Sequence, residues 1–104
     1  MFDMLVKVAG INDIKSGESK VVEASGKTLA LFNVDNKFFC IDNTCPHKGG
    51  PLGEGFLENH TITCPWHGAK YDVRTGKLLS KFPPSHDLNS YKIVVKGNEI
   101  FADL

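Results

Sequence analysis

With 104 residues, and twelve Lys+Arg against twelve Asp+Glu for a formal net charge of +0, the chain makes one small domain, too short for separate catalytic and cofactor domains. No block of like charge could track a phosphate backbone or an anionic bilayer, so neither nucleic acid nor membrane is an expected partner. No apolar run nears the roughly 20 residues that span a bilayer, and "MFDMLVKV" has an acidic residue where a signal peptide carries positive charge, which predicts a cytoplasmic protein.

Short β-branched and aromatic runs between turn signals predict an all-β fold. In chain order, strands are expected near Leu5 to Val8, Lys20 to Glu23, Thr28 to Val34 and Lys37 to Ile41, forming a meander through the tight turns "ASGK" and "VDNK". A short helical turn over Asn12 to Lys15, capped by Asn12 or Asp13, is expected to stop at "SGE". Residues 43 to 86 change character, with all four histidines and most of the glycines and prolines falling after Asn43. Within them "GFLENHTITC" predicts a hairpin bending at Glu58, Asn59 and His60, and "KYDVRTGKLLS" a second one turning at Thr75 and Gly76. The ending "YKIVVKGNEIFADL" reads as a closing hairpin about Gly97 and Asn98, with Ile93, Val95, Ile100 and Ala102 on one face.

Two motifs stand out in the middle segment: Cys45-x-His47 and, after sixteen intervening residues, Cys64-x-x-His67. Three cysteines in a reducing compartment, two of them in such motifs, point to metal ligation rather than a disulfide framework. Three chemistries compete for the set. All four side chains could meet one structural zinc, although the one-residue gap of Cys45-x-His47 is tighter than a zinc knuckle's. A histidine could activate Cys45 or Cys64 as a nucleophile, which leaves the duplication unexplained. Or each motif could give one ligand to each iron of a two-iron, two-sulfide cluster, the cysteines on one iron and the histidines on the other.

The whole sequence resembles the Rieske ferredoxins, among them the small electron carriers of bacterial ring-hydroxylating dioxygenase systems and the related small subunit of assimilatory nitrite reductases. "NTCPHKGGPLGEG", "CPWHGAKYDVRTGK" and the C-terminal "YKIVVKGNEIFADL" carry the likeness, from about Lys37 onward. It implies a single domain over 1–104: an antiparallel β-sandwich base, about 1–42 and 87–104, holding a smaller loop-rich cluster-binding subdomain, about 43–86. One [2Fe-2S] cluster would be ligated by Cys45, His47, Cys64 and His67. Replacing two thiolates by neutral imidazoles removes negative charge, which lifts the potential to roughly −150 to +300 mV from about −400 mV for plant-type clusters.

Around these ligands, Gly49, Gly50 and Gly68 suit backbone N–H groups that approach the sulfurs closely. The resemblance makes Tyr71 a hydrogen-bond donor to a ligand sulfur and puts Pro83 and Pro84 in a third loop covering the cluster. His47 and His67 then become the exit for the electron, and their redox-linked protons predict a potential that falls at alkaline pH. Gly50, Trp66 and Ala69 stand where the respiratory relatives have two bracing cysteines and a tuning serine, which predicts the low end of the Rieske range. Trp66 is expected to pack beneath its loop, Cys40 to pack as a small apolar residue, and His60 and His86 to face solvent. The function implied is that of a soluble, monomeric one-electron carrier, not itself an enzyme, between a flavin-dependent NAD(P)H reductase and a terminal ring-hydroxylating oxygenase. The alternative is a non-catalytic small subunit held by a larger reductase such as nitrite reductase, and a structural zinc protein is the remote one.

Overall fold

Alternating side chains on three consecutive runs build the largest sheet in the computed structural model, which describes residues 5–44, 51–66, 68–80 and 87–104. Strands β2 (Ser19–Ala24), β3 (Lys27–Val34) and β4 (Lys37–Asp42) form the expected meander. Both of its turns are two-residue loops with successive positive φ, 51° and 75° at Ser25 and Gly26, 52° and 66° at Asp35 and Asn36. That twist matches the strands, and glycine, asparagine and aspartate tolerate it best.

Strand β3 is covered on both faces and is buried from Leu29 to Val34. Leu29 and Leu31 point with Val22 and Cys40 into a core shared with Ala9, Ile14 and Ile100. Ala30, Phe32 and Val34 point with Ile41 into a second core, with Leu52, Ile62, Cys64, Ala69, Tyr71, Val73 and Leu88. The middle sheet is therefore the shared wall of two cores, as its near-continuous apolar run requires.

Strand β1 (Leu5–Gly10) does not join this meander. It pairs antiparallel with the last strand, β10 (Glu99–Asp103), with an irregularity between Lys7 and Ala9, and β10 pairs in turn with β9 (Ile93–Lys96). The crossing from sheet to sheet is made by residues 11–18, where no helical turn forms. Asp13 folds back instead, its carboxylate accepting from the Gly10 N–H (2.8 Å) and its own N–H donating to the Gly10 carbonyl (3.1 Å). Ile14 is buried between the sheets, and the buried Asn33 amide donates to its carbonyl at 2.9 Å.

The closing hairpin also begins later than expected. Ser90–Tyr91 form strand β8, paired with β4 through Cys40–Tyr91 and Ile41–Ser90, before the chain crosses to β9. Ile100 and Ala102 are buried as expected, whereas Val95 is 46% exposed, since β9 is an edge strand flanked on one side only.

Three short strands, β5 (Phe56–Glu58), β6 (Thr61–Thr63) and β7 (Lys70–Asp72), make the third sheet. Their register sets Leu57, Ile62 and Tyr71 on the inner face. The first hairpin turns at Asn59 and His60 as expected, but His60 is half-buried, its ring meeting Phe39 edge-on at 5.8 Å because the hairpin lies against β4. The second hairpin turns where expected, with the Gly76 N–H donating to the Asp72 carbonyl (2.7 Å), and its return arm pairs with β7 through the Tyr71–Leu78 bridge. A single turn of 3-10 helix over Leu52–Glu54 was not expected from the sequence.

Candidate metal centre

Cys64 follows directly on β6, and a tight turn fixes its backbone. Its N–H donates to the Ala69 carbonyl at 2.8 Å, and its carbonyl accepts from the Gly68 N–H at 3.1 Å. Gly68 has a φ of +76° with open space where a Cβ would stand, so conformation, not room, calls for glycine there. Cys64, Ala69 and Tyr71 are all buried in the same core. A thiolate enclosed this way needs a compensating cation, and a soft anionic sulfur suits iron or zinc. With two sulfurs and two imidazoles in the sequence pattern, the donor chemistry fits a Rieske-type cluster. Trp66 corrects the expectation of packing beneath the loop: more than half of its surface, 57%, is exposed.

Cys45, His47, Gly49 and Gly50 lie outside the described residues, as do His67, Pro83, Pro84 and His86. Their flanks are defined. Thr44 and Pro51, on either side of 45–50, pair as an antiparallel bridge. Just before it, buried Asn43 donates its N–H to the Thr28 carbonyl (3.2 Å), takes the Leu52 N–H on its carbonyl (2.8 Å) and the Gly53 N–H on its side-chain Oδ1 (2.7 Å). Gly55 then runs so close to β6 that a Cβ would stand 2.2 Å from the Thr63 carbonyl oxygen.

The flanks of 81–86 are held to the same sheet. The Leu79 N–H donates to the Lys70 carbonyl (2.8 Å), the Lys70 N–H to Ser80 Oγ (3.0 Å), and the Leu78 N–H to the Asp87 carboxylate (2.8 Å). Leu88 donates its N–H to the Gly76 carbonyl at 2.7 Å. The exit of the first motif, the entry of the second and the entry of 81–86 thus gather around Thr63 and Lys70, at one end of the small sheet.

Two further ionisable pairs are held within the framework. Arg74 clasps Asp72 through Nε (3.0 Å) and an Nη (2.9 Å), which holds that carboxyl below its ordinary value. Tyr91 donates its hydroxyl to Asp42 Oδ1 at 2.6 Å, and burial together with that carboxylate pushes the phenol up to about 12. Among the described residues no three of His, Cys, Asp and Glu converge on one point. Asn43, Gly53 and Gly55 escaped sequence reasoning, because an asparagine and glycines around a turn have no signature separating a specific grip from loop punctuation.

The model of the Rieske [2Fe-2S] domain family matches residues 4–92. The chain is 31% identical over 104 residues to the ferredoxin component of a naphthalene 1,2-dioxygenase system from Pseudomonas aeruginosa, covering 100% of this chain and 99% of that one. It is 37% identical over 95 residues to the ferredoxin subunit of 3-phenylpropionate/cinnamic acid dioxygenase from Escherichia coli (strain K12), covering 90% of this chain and 88% of that one. Among solved structures it is similar to a chain in the complex of reduced oxygenase and oxidized ferredoxin of carbazole 1,9a-dioxygenase, with a TM-score of 0.87, 29% identity, and coverage of 98% and 94%.

Proposed function

The chain belongs to the Rieske [2Fe-2S] domain family, and from that premise we propose that it carries single electrons from an NAD(P)H-dependent flavoprotein reductase to the terminal component of a ring-hydroxylating oxygenase. Its cofactor is a Rieske-type [2Fe-2S] cluster, and it is an electron-transfer component rather than a catalyst. The cluster would be held by Cys45 and Cys64 on one iron and His47 and His67 on the other, within a subdomain of about residues 43–86 on a base of about 1–42 and 87–104. When bound, the cluster supplies a one-electron couple, with two imidazoles setting its range.

The single observation that supports the site assignment is Cys64: a buried thiol at the mouth of a closed turn, with exposed Trp66 two residues on and proposed ligand His67 three residues on. A carrier needs one ligand side shielded and the other within reach of a partner. The Cys64 side is enclosed by Ile62, Ala69 and Tyr71, which exclude water from the sulfur, and Trp66 offers an apolar contact beside the histidine. Tyr71 is proposed to face the sulfurs, and Gly49, Gly50, Pro83 and Pro84 to shape the surrounding shell, whereas the Gly68 N–H, expected to face a sulfur, is taken by the Cys64 carbonyl. The chain would work in the cytoplasm as a monomer and dock transiently through a small face.

Electron paramagnetic resonance of the dithionite-reduced protein, with iron and acid-labile sulfide analysis, tests the reading. We expect two irons and two sulfides per chain and an anisotropic S = 1/2 signal, lost from Cys64→Ala. One zinc per chain without sulfide would overturn it.

A further inference from the structure

Asn43 lies two residues before Cys45, and its hydrogen bonds to described residues lead to elements that bound or support the first motif. Its backbone N–H binds β3 at Thr28, its carbonyl binds Leu52 and its side-chain Oδ1 binds Gly53. One 6% exposed residue thus ties the entry of segment 45–50 both to the middle sheet and to the segment's own exit, beside the Thr44–Pro51 bridge.

Gly53 shows how firmly that exit is seated. Its N–H is taken by Asn43, and its carbonyl accepts from Ser19 Oγ on β2 at 2.8 Å. A Cβ there would stand 2.6 Å from Val21 Cγ2, 3.0 Å from the Val21 backbone nitrogen and 3.1 Å from Asn43 Oδ1. The exit is therefore wedged against β2 with no room for a side chain, and Asn43 supplies the acceptor that the wedge requires. A buried N–H left without its acceptor carries a large desolvation penalty, so removing Oδ1 would push Gly53 out of this seat.

We infer that Asn43 is a positioning residue for the ligands Cys45 and His47: its side-chain carbonyl fixes the separation and direction of the two ends of the segment that bears them. The inference rests on the family reading of that segment as a ligand loop. It concerns the retention of the cluster and the geometry of its ligands, not the general stability of the fold. A chain whose base is intact but whose Gly53 is unseated should fold and yet hold its cluster poorly.

The test compares release of the cluster to an iron chelator, followed by loss of visible absorbance, in the native holoprotein and three variants. Asn43→Leu keeps the volume and removes the acceptor, and is expected to lose the cluster about tenfold faster or more, equivalent to about 1.4 kcal/mol. Asn43→Asp keeps an acceptor at the same reach but buries a charge, so it should release the cluster faster than native and yet more slowly than Asn43→Leu. Ile100→Val weakens the other core, away from the segment, and should stay within about twofold despite its lower unfolding midpoint. Reduced-state resonance lines should broaden in Asn43→Leu and remain unchanged in Ile100→Val. If Asn43→Leu does not accumulate as folded protein, Asn43→Ser, whose hydroxyl falls short of the Gly53 N–H, takes its place with the same expectation.

A native release rate in the acceptor-less variant overturns the inference. So does an Asn43→Asp variant as leaky as Asn43→Leu, or an Ile100→Val variant as leaky as either. A native chain without iron and sulfide removes both this inference and the reading beneath it, whereas a loaded native chain with indifferent variants removes the inference alone.

Discussion

Cys40 is five residues before Cys45 and belongs to a different core. Strand parity decides this: on β4 the side chain of Cys40 points with Leu31 and Ile100, and that of Ile41 toward Cys64 and Tyr71. Its role as a small apolar residue was legible from "KFFCI", because alternation is a local property. The side on which Trp66 lies was not, because it depends on what stands above the 64–69 turn. Burial pushes the Cys40 thiol from its ordinary value of 9.0 up to about 12, and the Asp42 carboxylate adds to the effect. Below pH 9 folded and unfolded chains both keep the proton, so the contribution is complete. Between pH 9 and 12 the unfolded chain releases it first, and stability falls by up to about 1.4 kcal/mol per pH unit. Urea midpoints measured from pH 8 to 11 should therefore fall more steeply in the native protein than in Cys40→Ala, and parallel curves would refute the assignment. Tyr91 titrates in the same direction in both chains, and because the Cys40 thiolate is only one of several causes that raise its phenol, behind burial and Asp42, most of its contribution cancels in the comparison.

At the scale of elements, hairpins declared themselves and distant pairings did not. "VDNK" and "HTITC" set turn and register within a few residues, whereas β1 finds β10 only when the whole chain closes, and no periodicity in "LVKVAG" names that partner. The same division separates the two kinds of glycine. Gly26 and Gly76 have nearly equal φ, +75° and +79°, but Gly26 has nothing within 4 Å of a would-be Cβ, while at Gly76 that atom would lie 2.1 Å from the Leu88 carbonyl oxygen. Positive φ alone costs a side chain about 1 to 3 kcal/mol. Gly26→Ala should lose about that much, and Gly76→Ala should lose at least about 1 kcal/mol more, since Leu88 and its bond to the Gly76 carbonyl must move. Denaturant unfolding of both variants measures the difference, and equal losses would mean that the 76–88 contact yields without cost. Because Leu88 follows 81–86, the second variant should also bind its cluster less tightly.

At the scale of the whole molecule the proposed ligand Cys64 belongs to one core of a layered stack, with the shared wall of β3 and β4 between that core and the sheet of β1, β10 and β9. The proposed ligand pattern stands out in the sequence because cysteine and histidine at fixed spacing carry chemistry in their identity. The convergence of three flanks on Thr63 and Lys70 was hidden, since it arises from backbone contacts that any residue could make. Twelve basic and twelve acidic residues give no net field, and exposed pairs such as Lys7 with Glu99 at 2.9 Å screen one another further. Encounter with a reductase or oxygenase should then proceed without long-range steering, at about 10⁵ to 10⁷ M⁻¹s⁻¹. Its rate should change by less than about threefold between 0.05 and 0.5 M salt, although the Debye length shrinks from about 14 to about 4 Å over that range. Stopped-flow reduction by a cognate flavoprotein reductase reads this directly. A flat salt profile together with a slower reaction in Trp66→Ala would put the burden of recognition on apolar contact beside His67, whereas a tenfold fall with salt would transfer it to charges clustered around the ligand segments.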